Sequence, residues 1–571
     1  MEIIGREPGN ADAWNDLGNA TLDLGHAAEA ERCFRQSLAL APDRAHAHYN
    51  LARLHQMAGH TNEALSGYER ALALAPRLAP AAYNRAILLG GLNRPDEAID
   101  AYRQLLAWAP DHAHAWNNLG KALRERGEAE AAVSASGEAI RHAPDDAEIA
   151  SNRLFALLHA ESTDSHALRA AQTSFDRLFS SDITPASGHE SSLKLCFPGV
   201  WPMHGNDPDP NRRLRIGFVS PDFREHPVGR FVEPLFDHID PKQADIVGYP
   251  TVGFEDGLTR RLHARCAGWR DLSGLDDAAA ARAIVADGID ILIDLAGHTA
   301  GNRLGIFARK PAPIQATWLG YLGGTGLAAM DWRLSDSRSD PPGISEEWQR
   351  ERLLRLPRCP WCYRPPAETP APAGRREGRE VVFGSFNSVA KLSDCLLAVW
   401  ARLLAAAPSA RLRVAGAPAG KARERIAAAL GIGERLHFVD RCSPAEYFAL
   451  YRQVDIALDS HPYAGGTTTC DALWMGVPVV AWAGERSCSR SGASLLAAAG
   501  LPDWVASTPD DTIAIAAKWA ENPDQLAALK AGLRARMQES SLMDETGFAR
   551  DWQAAMRFAW REWCGRRKGS S

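Results

Sequence analysis

The spacing of apolar and polar positions divides the chain into two regimes. In the first, prolines recur every 34 residues, at Pro8, Pro42, Pro76, Pro110 and Pro144. In phase with them stand Gly25, Gly59, Asn93 and Gly127, and two columns of small residues, Gly18, Ala52, Ala86, Gly120 and Ala30, Ala64, Ala98, Ala132. Proline ends each repeat because it cannot continue a helix. Gly or Asn takes the left-handed conformation of a tight turn, and the small residues let paired helices approach. Stacked pairs form a superhelix with a concave face. After Asp146 the repeat becomes irregular, and residues 147–180 still read as helical, closing the superhelix. A Pro/Gly/Ser-rich stretch, 180–211, reads as a connector. In the second regime short apolar runs alternate with amphipathic helices, the pattern of parallel sheets flanked by helices. Expected strands are 214–219, 289–293, 314–318 and 332–335, then 381–384, 411–414, 436–439, 456–458 and 477–482. The proline-rich residues 364–380 separate the two sets as a linker.

The 34-residue period is that of tetratricopeptide (TPR) repeats. One polar column keeps the same registry, Asp16, Asn50, Asn84 and Asn118. Asn is a mediocre helix former. A solvated face would accommodate it, but a ladder of amides along the concave groove, gripping an extended peptide backbone, better explains a registry kept while neighbours vary. Asn50, Asn84 and Asn118 are therefore candidate peptide-binding residues. The domains expected are a TPR superhelix with closing helices at 1–180, a connector at 181–211, a first lobe at 212–363, a linker at 364–380 and a second lobe at 381–571.

Composition changes this picture little. A length of 571 residues suits two or three domains. A net charge of −6 without a long basic block argues against nucleic-acid binding, and the basic end 565–568 reads as a solvated tail. Residues 1–10 lack the basic-then-apolar order of a signal peptide. The most apolar stretch, 472–483, is too short to span a bilayer and contains Pro478. Ten cysteines without framework spacing fit a reduced cytoplasm. Cys359 and Cys362 form a C-x-x-C pair, but no second pair or nearby His completes a zinc site. The sole D-x-D, Asp207-Pro208-Asp209, falls in the connector, so neither metal nor cofactor is expected. No G-x-x-x-x-G-K-[ST] loop is present, which argues against a P-loop enzyme.

Two doubly wound halves make a cleft, and ligands bind there outside the carboxyl ends of strands. Four polar loops, two of them with glycines, follow expected strands: 221–227; 296–303, with 319–326 shortly after; 385–391; and 463–471. In the last, Gly465-Gly466-Thr467-Thr468-Thr469 opens a short helix. Free backbone N–H groups and hydroxyls at a helix start attract an anion, although threonine capping alone would also explain them. Asp471, about one turn in, suits ribose hydroxyls. Lys391 can bring positive charge to a diphosphate leaving group. His226 and His298 are candidate general bases because imidazole titrates near neutrality.

The TPR period and four long segments, 214–231 (LRIGFVSPDFREHPVGRF), 294–326, 383–393 (FGSFNSVAKLS) and 458–480 (LDSHPYAGGTTTCDALWMGVPVV), resemble the protein O-GlcNAc transferases in order and over nearly the whole chain. The resemblance implies two GT-B lobes, with the linker at 364–380 standing where the animal enzymes carry a large insertion. It implies that His226 is the active-site histidine, that Lys391 and Thr467–Thr468 hold the donor diphosphate, that Asp471 binds ribose, and that Cys442-Ser443-Pro444 cradles uracil. Ser388, Tyr447 and Gly466 stand where the animal enzymes have Gln, His and His, within the same donor-binding set. Gly297-His298-Thr299 and the run 462–470 are also similar to the Spindly-type protein O-fucosyltransferases, which use GDP-fucose; those have Glu in place of Asp471. The expected function is metal-independent, inverting transfer of N-acetylglucosamine from UDP-GlcNAc to Ser/Thr hydroxyls of a polypeptide held by the TPR arm. The alternatives are O-fucosylation from GDP-fucose and a catalytically silent TPR scaffold that binds a nucleotide. The expected partners are a polypeptide acceptor and a nucleotide-sugar, without nucleic acid or membrane.

Overall fold

The computed structural model describes residues 7–179, 204–372 and 380–568. Most of the expected connector and the end of the proline-rich linker therefore lie outside the described residues. The chain forms two compact units, one ending at Pro144 and the other beginning at Asp145.

In the first unit the described helices pair as Ala11–Asp23 with Ala27–Leu40, Ala45–Met57 with Thr61–Leu74, Ala79–Gly91 with Pro95–Trp108, and Ala113–Glu125 with Ala129–His142. The turn residues take the expected left-handed backbone: φ is 82°, 77° and 89° at Gly25, Gly59 and Gly127, and 58° at Asn93. Ala30, Ala64, Ala98 and Ala132 are buried, as are Phe34, Tyr68 and Tyr102, which repeat at the same period. A methyl group at Gly18 would come within 2.5 Å of the Phe34 ring, so glycine is required there. The asparagine column links successive repeats. The Asn50 amide donates to Asn15 Oδ1 (2.9 Å), that of Asn84 to Tyr49 OH (3.3 Å), and that of Asn118 to Tyr83 OH (2.9 Å). Asn50 is buried, Asn84 and Asn118 are half-buried, and Asp16 is exposed.

The second unit opens with Ala147–His159 and Ser165–Arg177, the helices expected to close the superhelix. Both belong to this second unit and pack against its later residues. The first buries Ile149, Leu154, Leu157 and Leu158. Its carbonyls at Leu154 and Leu157 accept from Tyr321 OH (3.3 Å) and the Arg486 guanidinium (3.1 Å). The second is tied by Gln172 to the Gly324 carbonyl (3.3 Å) and by Asp176 to Arg350 (2.6 Å).

Two parallel sheets follow. The strands of the first are β1 Leu214–Ser220, β2 Ala244–Pro250, β3 Gly268–Trp269, β4 Ile291–Asp294, β5 Ile314–Thr317, β6 Trp332–Asp336 and β7 Arg352–Leu356, ordered β3-β2-β1-β4-β5-β6-β7. Those of the second are β8 Val382–Ser385, β9 Arg411–Ala415, β10 Leu436–Val439, β11 Ile456–Leu458, β12 Val479–Trp482 and β13 Val505–Ala506, ordered β10-β9-β8-β11-β12-β13. Each described strand pair is parallel, as in β1 with β4 and β8 with β11. Strands β2, β3, β7 and β13 were not anticipated. β3 and β13 have two residues each, too few for a hydrophobic run. β7 is an edge strand whose arginines interrupt its apolar pattern; Arg352 lies 3.9 Å over the Trp332 ring and pairs with Glu562. β2 ends in Gly-Tyr-Pro and reads as a turn.

The last helix, Glu545–Lys568, belongs by sequence order to the second lobe, yet it packs on the first. Phe548, Trp552, Met556 and Trp560, four residues apart on one face, join the core formed by Phe218, Ile293, Ala316 and Trp318. Among the described residues, no helix is long and apolar enough to cross a membrane.

Candidate active site

Strand order reverses between β1 and β4 in one sheet and between β8 and β11 in the other. The main loops singled out from sequence leave the carboxyl ends of these four strands, where a doubly wound fold opens a crevice.

β11 delivers the chain to Asp459, which is buried. Its Oδ1 accepts from the backbone N–H of Ser460 (2.8 Å) and Gly465 (2.7 Å) and from the Asn387 amide (3.2 Å). Asn387 Oδ1 in turn accepts from the Thr468 hydroxyl at 2.7 Å. Loop and helix start are thus fixed before any ligand arrives. Because the Thr468 hydroxyl donates its proton to Asn387, an anion at this helix meets the backbone N–H of Thr468 rather than its side chain. Gly466 is the residue before the helix Thr467–Trp474, and no side chain caps that end, so its first N–H groups remain available. A side chain at Gly465 would fall 2.6 Å from Thr468 Oγ1 and 2.7 Å from Asp459 Oδ1, so the loop needs glycine there.

Lys391 ends a 3-10 turn, Val389–Lys391, after β8. Its Nζ donates to the Ala464 carbonyl (3.2 Å) and lies 4.6 Å over the Tyr463 ring. Burial pulls its pKa down to about 8, partly offset by the charge of Asp459. A diphosphate would restore the charged form. Ser388, at the start of this turn, is exposed and its carbonyl accepts from Lys391 N (2.9 Å).

A cavity of about 390 Å³ opens at the ends of β8, β9 and β10, lined by Phe386, Ala415, Gly416, Asp440, Arg441, Cys442, Pro444, Tyr447, Phe448, Leu450 and Asp471, with Arg230 and Pro366 closing one side. Of the expected donor-binding residues, Cys442, Pro444, Tyr447 and Asp471 line it. Ser443 stands at its edge, where it caps the helix Pro444–Leu450 in a reciprocal pair with Glu446. Asp471 is buried, and its oxygens accept from Tyr363 OH (2.7 Å) and Tyr447 OH (3.1 Å). Burial raises its pKa to about 6, and the two phenols counteract that rise. Arg230 and Phe386 were not anticipated. Arg230 lies one helical turn beyond His226 on Pro227–His238, a spacing that carries the signal only once the helix is known.

His226 is the first cap of that helix, accepting from Val228 N–H at Nδ1 (3.3 Å), with Asp222 Oδ2 3.5 Å from the same nitrogen. Burial lowers its pKa, Asp222 opposes this, and Arg224 and Arg230 reinforce it, so the ring is neutral near pH 7. His298 is buried, with Nδ1 2.8 Å from Ser151 Oγ and Nε2 2.9 Å from the Thr325 carbonyl. Burial lowers its pKa to about 4. With both nitrogens engaged inside the protein, His298 docks the helix Ala147–His159 and is not placed to take a proton from a substrate. Cys359 and Cys362 are buried free thiols, their pKa values pushed up by burial. Among the described residues no group of three or more His, Cys, Asp or Glu is arranged to hold a metal ion.

Residues 200–360 and 376–552 match the family model of glycosyl transferase family 41. The chain belongs to glycosyl transferase family 41. TPR models match residues 9–77 and 83–148. Among proteins to which this family 41 chain is similar is the probable UDP-N-acetylglucosamine–peptide N-acetylglucosaminyltransferase SPINDLY of Petunia hybrida, 38% identical over 374 residues, 63% of this chain and 40% of that protein. Another is the corresponding probable enzyme SEC of Arabidopsis thaliana, 28% identical over 368 residues, 62% of this chain and 38% of that one. The aligned part spans about 40% of the length of the first of these relatives. A solved structure, a lysine-to-methionine mutant of the Thermobaculum terrenum O-GlcNAc transferase, superposes with a TM-score of 0.76 at 32% identity, covering 97% of this chain and 98% of that one. The TPR helices and the two parallel-sheet lobes of this family 41 chain share that architecture.

Proposed function

We propose that this glycosyltransferase is a protein O-GlcNAc transferase that moves N-acetylglucosamine from UDP-GlcNAc to serine or threonine of a polypeptide, with inversion. The observation that carries the reading is the join of three parts at one switch point: the uncapped helix start at Thr467, the Lys391 ammonium beside the same loop, and the cavity ending at Asp471. Diphosphate, sugar and nucleoside can be met there in sequence. The acceptor hydroxyl attacks the anomeric carbon opposite the diphosphate. The C–O bond to phosphate breaks, and UDP leaves onto Lys391 and the helix N–H groups, which stabilise its developing charge. His226 takes the hydroxyl proton. To accept at Nε2 the ring takes the tautomer whose Nδ1 proton faces Asp222, giving up the bond Nδ1 accepts from Val228 N–H, and Asp222 stabilises the resulting imidazolium.

The choice of uridine over guanosine is supported by Asp471, at the position the resemblance gives to ribose, where the Spindly-type enzymes have Glu. The second reading, GDP-fucose, is favoured by the greater identity to SPINDLY, 38% against 28% for SEC. Calorimetric titration with UDP, GDP, UDP-GlcNAc and GDP-fucose separates the two. Tight UDP and weak GDP binding, followed by incorporation of N-acetylglucosamine into protein, is expected; the reverse preference replaces the first reading with the second. Binding without transfer of either sugar leaves only the scaffold. Leaving-group charge is assigned to Lys391 and the helix rather than to a cation, so transfer is expected to persist in excess EDTA. Loss in EDTA and recovery with manganese would overturn that assignment.

A further inference from the structure

We propose that Tyr463 is a positioning residue for Lys391, held in place by His159 of the helix Ala147–His159. The inference rests on the reading that Lys391 serves a diphosphate. Lys391 Nζ makes two contacts in the loop: a bond to the Ala464 carbonyl at 3.2 Å and the Tyr463 ring at 4.6 Å. Both partners are neutral. An aromatic face stabilises an ammonium without supplying a counter-charge, so attraction remains for an incoming anion. A carboxylate in the same place would compete with the diphosphate for the same protons.

The ring is itself fixed. Tyr463 is buried, stacks on His159 with centroids 4.7 Å apart and planes 15° from parallel, and meets the edge of Phe155 at 6.2 Å and 86°. Phe155 and His159 lie one turn apart on the helix, and the Phe155 carbonyl is 2.9 Å from His159 Nδ1. The same segment holds the other flank of the lysine turn. Glu161 accepts from Ser393 Oγ, and Ser393, two residues past Lys391, caps the helix Asp394–Ala406 at Leu396 N. The helix and the residues just after it, outside both sheets, therefore flank the lysine on two sides.

The test measures nucleoside diphosphate affinity of the full chain at pH 6.5 and 8.5, using whichever of UDP and GDP binds more tightly, for wild type, Tyr463→Phe, Tyr463→Leu and Lys391→Met. At pH 6.5 Lys391 is charged with or without the ring, so Tyr463→Leu should bind within about threefold of wild type. At pH 8.5, without the ring, less of the lysine is charged, and Tyr463→Leu should bind about tenfold more weakly. Asp459 and Cys488 also act on this lysine and are common to all the variants. Tyr463→Phe, which keeps the ring, should match wild type at both values. If Tyr463→Leu loses its thermal transition, Tyr463→Met replaces it and is judged by the same pH difference. Equal affinity ratios at both pH values, or a Phe variant as weak as the Leu variant, would overturn the proposal. Unchanged binding by Lys391→Met would instead sink the diphosphate reading on which it rests.

Discussion

Lys391 shows how one residue's environment sets its chemistry. Its ordinary pKa of 10.5 falls to about 8 because burial penalises the ammonium. Between these values the unfolded chain holds more protons on this group than the folded chain, so folding stability from this residue rises with pH from about 8 to 10.5. A bound diphosphate reverses the balance. Donor binding near pH 8.5 should therefore take up a fraction of a proton, read as a dependence of the calorimetric enthalpy on the buffer's ionisation enthalpy. Lys391→Ala should abolish this uptake and reduce turnover by about 10²–10³-fold without lowering the melting temperature. Persistence of the uptake in the variant would place the titrating group elsewhere. Asp471 runs in the opposite sense. Its pKa rises to about 6, so its contribution to stability is greatest below 3.8 and is lost as pH rises through 6.

At the scale of elements, the helix Ala147–His159 carries more than its place in the chain suggests. Ile149, Leu154, Leu157 and Leu158 are buried, and complete burial of each such side chain is worth about 1.5–3 kcal/mol. Four together approach the whole stability of a typical domain, about 5–15 kcal/mol. The helix also supplies Ser151 to His298 and carbonyls to Tyr321 and Arg486. A chain beginning at Asp145 should thus be soluble and melt cooperatively, whereas one beginning at Asp164 should aggregate. Similar melting of the two, by calorimetry, would show that the helix is dispensable. Its embedding was not visible in the sequence because residues 147–159 keep helical periodicity after the repeat has lost its phase. Periodicity reports a buried face, not its neighbour.

At the scale of the whole molecule, one chain joins a repeat unit to a glycosyltransferase unit, and under the proposed function a polypeptide held by the first would meet the second at raised effective concentration. The asparagine column can be tested in this setting. Asn50 is buried against Asn15, so Asn50→Ala should lower the repeat unit's stability by roughly 0.5–1.5 kcal/mol, the worth of one hydrogen bond. Asn84 and Asn118 are only half-buried. If they also grip a peptide backbone, their double replacement by Ala should raise the protein-acceptor KM several-fold while sugar-nucleotide hydrolysis stays constant. An unchanged KM in a folded variant, checked by circular dichroism, would confine the column to bonding between repeats.

The repeat period, its turns and the parallel-sheet lobes were legible in the chain because each depends on local spacing. Pro42 and Pro76 stop helices wherever they stand, Gly59 and Asn93 turn the backbone by their own conformational freedom, and alternating apolar runs make strands. The helix start in the loop 463–471 was legible for a related reason: the glycines before Thr467 mark where a helix opens without reference to distant residues. Tertiary structure alone decided what those elements touch. It sent Phe548, Trp552 and Trp560 back to the first sheet, set Arg230 beside the cavity of the second lobe, and gave the Thr468 hydroxyl to Asn387. It also made His298 a docking residue and brought His159, Tyr463 and Lys391 into one stack. These outcomes depend on contacts between residues as far apart as Tyr463 and His159, and nothing in local periodicity encodes which buried face meets which.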